Sequence, residues 1–273
     1  MRQKGVKRVM MAIIFGVGFY SISFIGIAKA QDYTVKDLHE QHVLATVWTQ
    51  RSAEFKALCY QSFNMAKLIY DMDLQKGESS MKRAVAVDIN ETILDNSKYS
   101  AGFVDYDQGF PTGWEEWCLS GEREAIPGSV DFLNYVVSTG GDVFYISNTK
   151  IKHKDRTMKT LKALGFPQVN HVLLRETTSD KGPRREMVRK DHKIVVLIGD
   201  NLNDFDSIFR KKGLDERRAA VDQVKDQFGI KFVVVPNPLY GEWEGGVYKG
   251  NWKLNPLEKS KARKAALIKW NMK

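Results

Sequence analysis

Residues 84–92 read Ala-Val-Ala-Val-Asp-Ile-Asn-Glu-Thr, and residues 194–204 read Ile-Val-Val-Leu-Ile-Gly-Asp-Asn-Leu-Asn-Asp. Each stretch is a continuous apolar run that ends in a cluster of carboxylate and amide side chains. An apolar run without polar alternation is typical of a strand that is buried on both faces, as in a parallel sheet. Because ligands bind beyond the carboxyl ends of parallel strands, we expect the two polar clusters to meet at one edge of one sheet.

Shorter apolar runs and helical patterns alternate through the rest of the chain. The runs lie at residues 143–146, 171–174 and 232–235, and the helical patterns lie at 130–137, 154–164, 183–190 and 215–228. Strands that alternate with helices predict a parallel sheet with right-handed crossovers and a helical layer on each face. Residues 34–75 add two amphipathic N-terminal helices with a break near Arg51-Ser52, and residues 259–270 a basic C-terminal helix. The predicted class is a three-layer, Rossmann-like α/β fold.

The connection between the first predicted strand and the helical pattern at 130–137 is unusually long. Residues 97–126 lack clean periodicity, and their aromatic side chains are Tyr99, Phe103, Tyr106, Phe110, Trp114 and Trp117. Long connections in compact domains are usually functional. We interpret residues 97–127 as part of a small α-rich cap over the sheet edge, to which residues 31–80 contribute further elements. A loop that buries its own aromatic rings in a satellite core is an equally good interpretation.

The first thirty residues are typical of an export signal. A basic start is followed by an apolar run at residues 9–27 and by Ala28-Lys29-Ala30, a small-x-small pattern after which signal peptidase cuts. An uncleaved membrane anchor is the alternative, since the run approaches the ~20 residues that span a bilayer. Both interpretations place the body of the chain, residues 31–273, outside the cytoplasm: in the periplasm, at the outer membrane or in the medium.

More than half of the excess of basic over acidic residues lies in this leader. The whole chain carries +9, from 42 Lys and Arg against 33 Asp and Glu. Residues 1–30 hold five basic residues and no acidic one, so 37 basic and 33 acidic residues remain, a net charge of +4. A body with so small an excess does not favour a nucleic-acid partner.

The two cysteines, Cys59 and Cys118, lie far apart in sequence. In an oxidising compartment they could form a disulfide. Cys59, however, falls in an apolar helical stripe, where a small buried thiol is the simpler interpretation. The predicted fold does not depend on their pairing.

Three acidic side chains follow the first and fourth predicted strands: Asp88, Asp200 and Asp204. If the strands are neighbours, these carboxylates repel one another unless a cation neutralises them, and three hard oxygen ligands with room for water suit Mg²⁺. The alternative is that Asp88 and Asp200 only cap turns, as Asp often does after a strand. Two such clusters after two buried strands favour the metal site.

Further polar groups are predicted at the same edge. The second strand ends in Ser147-Asn148, whose short side chains are suited to holding a phosphate oxygen. Lys181 precedes a helix that opens at Pro183, and a lysine there can neutralise charge on a transferring phosphoryl group. Each residue alone also fits a loop cap or a solvated surface side chain, and it is their order along the chain that favours a phosphate site.

The sequence resembles the haloacid dehalogenase-like (HAD) superfamily, and more closely its class C acid phosphatases, the bacterial outer-membrane acid phosphatase and 5′-nucleotidase group. The matching motifs are Asp-Ile-Asn-Glu-Thr-Ile-Leu-Asp-Asn-Ser at 88–97, Ala-Ile-Pro-Gly at 125–128, Phe-Tyr-Ile-Ser-Asn at 144–148, Gly-Asp-Asn-Leu-Asn-Asp-Phe at 199–205 and Tyr-Gly-Glu-Trp-Glu-Gly-Gly at 240–246. Together they span nearly the whole chain after the leader.

The resemblance implies a role for each carboxylate. Asp88 is implied to be the nucleophile that attacks phosphorus and becomes a phosphoaspartate. Mg²⁺ is implied to be held by Asp88, the main-chain carbonyl of Asn90, Asp200 and Asp204, where it neutralises and orients the phosphoryl group.

The substrate contacts are implied in the same way. Ser147 and Lys181 match the positions that hold phosphate, with Asn148 beside them. Trp114 and Tyr240 match the aromatic positions that flank a nucleoside base, where stacking contributes about 1 to 3 kcal/mol per base without reading its identity.

One position departs from the family pattern. The family has aspartic acid two residues after the nucleophile, where it protonates the leaving oxygen, and this chain has Asn90. A carboxamide cannot act as a general acid, and loss of such a group typically lowers the rate by about 10²- to 10⁴-fold. The implied metal ligand at this position is main chain and is retained.

The sequence therefore predicts an exported, Mg²⁺-dependent acid phosphatase that hydrolyses small phosphomonoesters, 5′-nucleotides among them, with turnover slowed by Asn90. The alternative is a catalytically weakened relative that binds phosphorylated ligands or serves as a surface or storage protein. Asn90 favours the alternative, whereas the retained Asp88 and Lys181 favour the enzyme. Carbon–halogen cleavage does not need the metal cluster, so Asp204 argues against it. The sequence leaves open whether the chain forms a homodimer.

Overall fold

The computed structural model describes residues 33–271. The predicted leader at residues 1–30, with its cleavage site and the alternative of a membrane anchor, lies outside the described residues. None of the helices within residues 33–271 combines the length with the apolar character that a bilayer crossing requires.

Five parallel strands form the central sheet, in the order β5-β4-β1-β6-β7. The strands of the chain are β1 (Lys82–Val87), β2 (Leu94–Asp95), β3 (Glu124–Ala125), β4 (Asp142–Lys150), β5 (Val172–Arg175), β6 (His192–Gly199) and β7 (Phe232–Val234). In the centre of the sheet, Val85 pairs with Val143 on one side and Val196 on the other. All five predicted strands are present, and the α/β class is confirmed.

The helices are α1 (Val35–Glu40), α2 (Val43–Arg51), α3 (Ala53–Leu74), α4 (Ser97–Ala101), α5 (Trp114–Leu119), α6 (Ser129–Ser138), α7 (Lys154–Ala163), α8 (Gly182–Arg189), α9 (Leu214–Gln223), α10 (Glu242–Val247) and α11 (Pro256–Ala265). The predicted break near Arg51-Ser52 is confirmed, because the Ser52 hydroxyl accepts the Phe55 N–H at 3.0 Å and starts α3. The prediction of two N-terminal helices was wrong, since a turn at Gln41-His42 makes three.

Two apolar clusters flank the sheet. Val85 and Val87 of β1 point into one, and Ala84 and Ala86 point into the other. This two-residue alternation on a strand buried on both faces produces the three layers. The first cluster holds most of the inward side of α3, so this helix belongs to the core layers rather than to the cap in which the sequence placed residues 31–80.

The segment at residues 97–126 starts and ends at a small ribbon. Strand β2 pairs antiparallel with β3, which brings the two ends of the segment together. Between them, the Tyr99 ring contacts the rings of Phe103 and Trp114, with centroids 4.9 and 5.0 Å apart. Phe110 packs edge-on against Trp114 at 5.7 Å. The segment therefore has its own aromatic cluster, and the ribbon fixes this cluster next to the residues that follow β1.

Both cysteines are buried and unpaired. Cys59 packs in the larger core cluster, on the inward side of α3. Burial raises the pKa of its thiol to about 12, so it remains a neutral core side chain.

Candidate active site

The structure brings together the three carboxylates that the sequence singles out. Asp88 follows β1, Asp200 follows β6, and Asp204 lies in the short 3₁₀ turn Leu202–Asp204. One carboxylate oxygen from each lies within 4.8 Å of the other two. Since β1 and β6 are neighbouring parallel strands, their carboxyl ends deliver these side chains to one point.

Thr92 ties the two strand ends to each other. Its hydroxyl donates to Asp200 Oδ1 at 2.8 Å and lies 3.3 Å from Asp88 Oδ2, and it accepts the main-chain N–H of Asp200 at 3.0 Å. The main-chain N–H of Asp88 continues the sheet by donating to the carbonyl of Ile198 at 3.0 Å. Thr92 was not singled out from the sequence, although it lies in the motif at 88–97.

Gly199 makes room for the third carboxylate. A Cβ at this position would collide with the Asp204 carboxylate and with its Cβ, at 2.5 Å. The last residue of β6 is therefore glycine because the 3₁₀ turn that carries Asp204 folds back directly over the strand.

Lys181 is the cation inside this group. It lies at the start of α8, is 4% exposed, and its Nζ contacts the carboxylate of Asp88 and, at 2.6 Å, Asp204 Oδ1. Burial disfavours its positive charge, but Asp204 and Asp88 outweigh burial and raise the pKa of the amine. Lys181 is thus charged and held at the carboxylates, and its predicted contact with phosphate stays a prediction.

Burial and mutual repulsion disfavour the ionised forms of Asp200 and Asp204. Burial, followed by repulsion from Asp204 and Asp88, raises the pKa of Asp200 well above its ordinary value. Burial raises the pKa of Asp204 to about 6, although Lys181 acts in the opposite direction. One lysine therefore does not neutralise three neighbouring carboxylates.

A divalent cation fits this donor set. Three hard carboxylate oxygens, drawn together and incompletely neutralised, are the ligands that Mg²⁺ and similar ions prefer. Asp88, Asp200 and Asp204 are the residues that would hold it. Asn90 lies two residues after Asp88 in the same loop, as the implied main-chain ligand requires.

Ser147 and Asn148, which the sequence predicts to contact phosphate and substrate, lie in the carboxyl-terminal part of β4, which continues to Lys150 rather than ending at these two residues. Ser147 of β4 is buried, and its Oγ lies 3.2 Å from Thr149 Oγ1. Asn148, predicted to contact substrate, has hydrogen-bond partners within the protein at both ends of its amide. Its Nδ2 donates to the carbonyl of Ser179 at 3.0 Å, and its Oδ1 accepts from Arg184 at 2.7 Å. Since both ends of its amide are paired, Asn148 holds the loop before α8 in place.

Two buried arginines that the sequence analysis missed form hydrogen bonds to the main chain at Ser147 and Asp204. Arg184 donates to the main-chain carbonyl of Ser147, and Arg185 donates to the main-chain carbonyl of Asp204 at 2.9 Å. They follow Lys181 by three and four residues, so the first turn of α8 contacts both β4 and the turn after β6. An Arg-Arg pair at the start of a helix, directly after a candidate phosphate lysine, is the signal that could have identified them.

The two predicted aromatic contacts lie on different elements. Trp114 is half-buried at the start of α5, and the Arg123 guanidinium lies over its ring, 5.1 Å from the centroid. The Tyr240 hydroxyl donates to the carboxyl group of Glu91. Burial raises the pKa of Glu91 to about 7, although the hydrogen bond from Tyr240 acts in the opposite direction. Arg123 and Glu91 were not predicted.

The comparison with protein-family models decides the assignment. The model of the HAD superfamily, subfamily IIIB (Acid phosphatase), matches residues 26–243 of the 273. The chain belongs to this subfamily of acid phosphatases. The resemblance drawn from the sequence motifs is therefore confirmed. HAD phosphatases are metal-dependent, and this member retains an acidic cluster.

Two solved structures of the class C acid phosphatase from Bacillus anthracis, one with tungstate bound, share the fold of this acid phosphatase family member. Each is 43% identical to it in sequence, with a TM-score of 0.83, and the match covers 86% of this chain and 99% of the neighbour.

Curated plant relatives are more distant. A stem 28 kDa glycoprotein from Glycine max is 24% identical over 157 residues, 53% of this chain and 59% of the relative. Acid phosphatase 1 from Solanum lycopersicum is 26% identical over 129 residues, 43% of this chain and 49% of the relative. The chain spans about half the length of the curated relatives it matches.

The raised pKa values of the cluster predict the behaviour of Asp200→Asn. Asp200 and Asp204 have folded-state pKa values above their unfolded values, so their ionised forms destabilise the metal-free protein at neutral pH. That cost falls as the pH drops through about 6, the pKa of Asp204. In EDTA at neutral pH, we expect Asp200→Asn to melt higher than the native chain, by about 2–4 °C per kcal/mol gained.

Differential scanning fluorimetry with EDTA and with millimolar Mg²⁺ measures both parts of this effect. Mg²⁺ should raise the melting temperature of the native chain and leave that of Asp200→Asn unchanged. Asp222→Asn, the same change at an exposed site on α9, is the matched control and should keep the Mg²⁺ response. A lower melting temperature for Asp200→Asn in EDTA would contradict the prediction.

Proposed function

We propose that this chain is an exported, Mg²⁺-dependent phosphomonoesterase that forms a phosphoaspartate on Asp88. The observation that carries the proposal is the position of that carboxylate. It is buried at the carboxyl end of the central strand, contacts Lys181, and shares a cluster with Asp200 and Asp204. This position supports the role of nucleophile that the resemblance to class C acid phosphatases implies for Asp88.

The proposed reaction has two displacements. One oxygen of Asp88 forms a bond to phosphorus as the bond between phosphorus and the leaving oxygen breaks, so the leaving group departs as an oxyanion with the electron pair and takes a proton from water. Water then attacks the phosphoaspartate, and the phosphorus–Asp88 bond breaks to give inorganic phosphate and regenerate the carboxylate. Each step moves one phosphoryl group and needs no redox partner.

The residues around Asp88 bind and orient the phosphoryl group. Lys181 supplies a fixed positive charge next to the attacking carboxylate, and Ser147 supplies a hydroxyl at the end of β4. When bound by Asp88, Asp200, Asp204 and the main-chain carbonyl of Asn90, Mg²⁺ would supply the further positive charge that the phosphoryl transfer needs.

Asn90 determines which substrates react. Because its carboxamide has no proton to give at neutral pH, the leaving oxygen departs as an anion and takes its proton from water. Aryl phosphates tolerate this, since their leaving groups are weak bases, whereas alkyl phosphates such as nucleotides do not. The second candidate function, a relative that binds phosphorylated ligands with little turnover, follows from the same residue.

The Asn90→Asp variant tests this proposal. Restoring a carboxyl group should raise kcat for a nucleoside monophosphate by about 10²- to 10⁴-fold, and much less for an aryl phosphate. Steady-state kinetics with Mg²⁺ on both substrates measures the difference. The exposed Asn64→Asp on α3 is the matched control, and Asp88→Asn should abolish all turnover. Equal gains on both substrates, or none, would refute the role given to Asn90.

We further propose that the phosphomonoester is a 5′-nucleotide whose base stacks between Trp114 and Tyr240. Trp114 is half-buried within the aromatic cluster of residues 97–126, and Tyr240 is fixed near the strand end by its hydrogen bond to Glu91. Both rings are therefore preordered before a ligand binds, which lowers the entropy cost of stacking.

Trp114→Ala should weaken the binding of a nucleoside monophosphate by about 1 to 3 kcal/mol and leave the binding of inorganic phosphate unchanged. Isothermal titration calorimetry with both ligands in Mg²⁺ gives the two affinities. Trp252→Ala, which removes a tryptophan that packs on Tyr248, serves as the control for loss of an indole. Weaker binding of both ligands would show that Trp114 supports the fold rather than the base.

Export is proposed from residues 1–30, where basic residues precede an apolar run and Ala28-Lys29-Ala30. The proposed location is the periplasm, the outer membrane or the medium, and the proposed partner is a small phosphorylated molecule. Mass spectrometry of the protein from fractionated cells should find Gln31 as the N-terminus in the exported fraction. An intact leader in the membrane fraction would favour the anchored form, and an intact leader in the cytoplasm would exclude export.

A further inference from the structure

A chain of side-chain contacts runs from the cap helix α5 to the end of β4. The indole Nε1 of Trp117 donates to Asn96 Oδ1 at 2.9 Å, and Asn96 Nδ2 donates to Asn90 Oδ1 at 3.4 Å. Asn90 Nδ2 in turn donates to Thr149 Oγ1 at 3.2 Å, and Thr149 Oγ1 lies 3.2 Å from Ser147 Oγ. Four elements of the chain thus meet through polar side chains.

The direction of this chain of hydrogen bonds is fixed at its cap end. An indole N–H can only donate, so the oxygen of the Asn96 amide must face Trp117 and its nitrogen must face Asn90. The oxygen of the Asn90 amide must then face Asn96, and its nitrogen must face β4. Arg123, which also has only donors, adds a weak contact to the same Asn90 oxygen at 3.5 Å.

Burial makes this direction costly to reverse. Asn96 is 1% exposed, so water does not replace a lost partner on its amide. Turning either amide would place two nitrogens or two oxygens against each other. A buried polar group that loses its partner in this way costs more free energy than an ordinary hydrogen bond contributes.

Asn90 is left with one donor to spare. Within residues 33–271, its Nδ2 has Thr149 as hydrogen-bond partner, which uses one of the two N–H groups. The other belongs to an amide whose nitrogen faces the strand end that carries Ser147. A carboxamide held in this way is a hydrogen-bond donor for an anion bound at that strand end.

We propose that Asn96 and Trp117 are positioning residues that hold the Asn90 carboxamide with its nitrogen toward the phosphoryl group. The inference rests on the proposed phosphomonoesterase function and deepens it: residue 90, which cannot give up a proton here, binds phosphate oxygen through N–H instead. Trp117 acts at a distance, through Asn96, and does not touch the substrate.

A double-mutant cycle between Trp117→Phe and Asn90→Ala tests this, with inorganic phosphate in Mg²⁺ as the ligand and calorimetry as the readout. In the native background, Trp117→Phe should weaken phosphate binding by about 2- to 12-fold, the effect of one neutral hydrogen bond. In the Asn90→Ala background, the same substitution should have no further effect, because the amide that Trp117 positions is absent. Equal losses in both backgrounds would mean a structural role and would overturn the proposal.

Asn96→Ala provides the second route if Trp117→Phe does not fold, as judged by circular dichroism. It should show the same dependence on Asn90. Trp252→Phe, the same change of indole to phenyl at a tryptophan that packs on Tyr248, is the matched control and should leave phosphate affinity unchanged.

The two proposals fail separately. Phosphate binding that couples Trp117 to Asn90, in a protein that turns over no phosphomonoester, would support the positioning role and refute the hydrolase. Turnover of an aryl phosphate with additive effects of the two substitutions would support the hydrolase and refute the positioning role.

Discussion

The repulsion between Asp88, Asp200 and Asp204 is the constraint around which this edge of the sheet is organised. Adjacent parallel strands deliver two of these carboxylates to one point, and the turn folded over Gly199 adds the third. Lys181 offsets part of the charge, while burial and the remaining repulsion raise the pKa values of Asp200 and Asp204. The fold thereby holds a cluster of carboxylates suited to a cation at a fixed place, and their ionised forms lower stability when no cation is bound.

The buried scaffold beneath the site keeps these charges from separating. The start of α8 carries Lys181, Arg184 and Arg185, which contact the carboxylates, the main chain of Ser147 in β4 and the main chain of Asp204 after β6. Thr92 joins the ends of β1 and β6 in the same way. Because each support is a hydrogen bond to a charged group or to main chain, removing one would leave a buried group unpaired rather than merely loosen a contact.

Asn90 lies between the carboxylate cluster and the segment at residues 97–126. Position 90, where the resemblance implies a proton donor, carries an amide here: its oxygen accepts from Asn96 and its nitrogen donates to Thr149. The aromatic cluster of residues 97–126 therefore has two connections to the site. Trp114 is the ring proposed to stack on a base, and Trp117, three residues later on the same short helix, donates its indole N–H to the buried Asn96.

The strands, the three carboxylates and Lys181 could be predicted from the sequence, because apolar runs and the polar residues that follow them are local features of the chain. The sequence did not determine which polar groups become partners. Asn90 meets Thr149 across 59 residues, and Asn148 forms hydrogen bonds to Ser179 and Arg184. It also assigned α3 to the cap, since an amphipathic helix does not specify which apolar surface it covers. These features depend on long-range packing, which brings distant residues within hydrogen-bond distance only once the tertiary structure has formed.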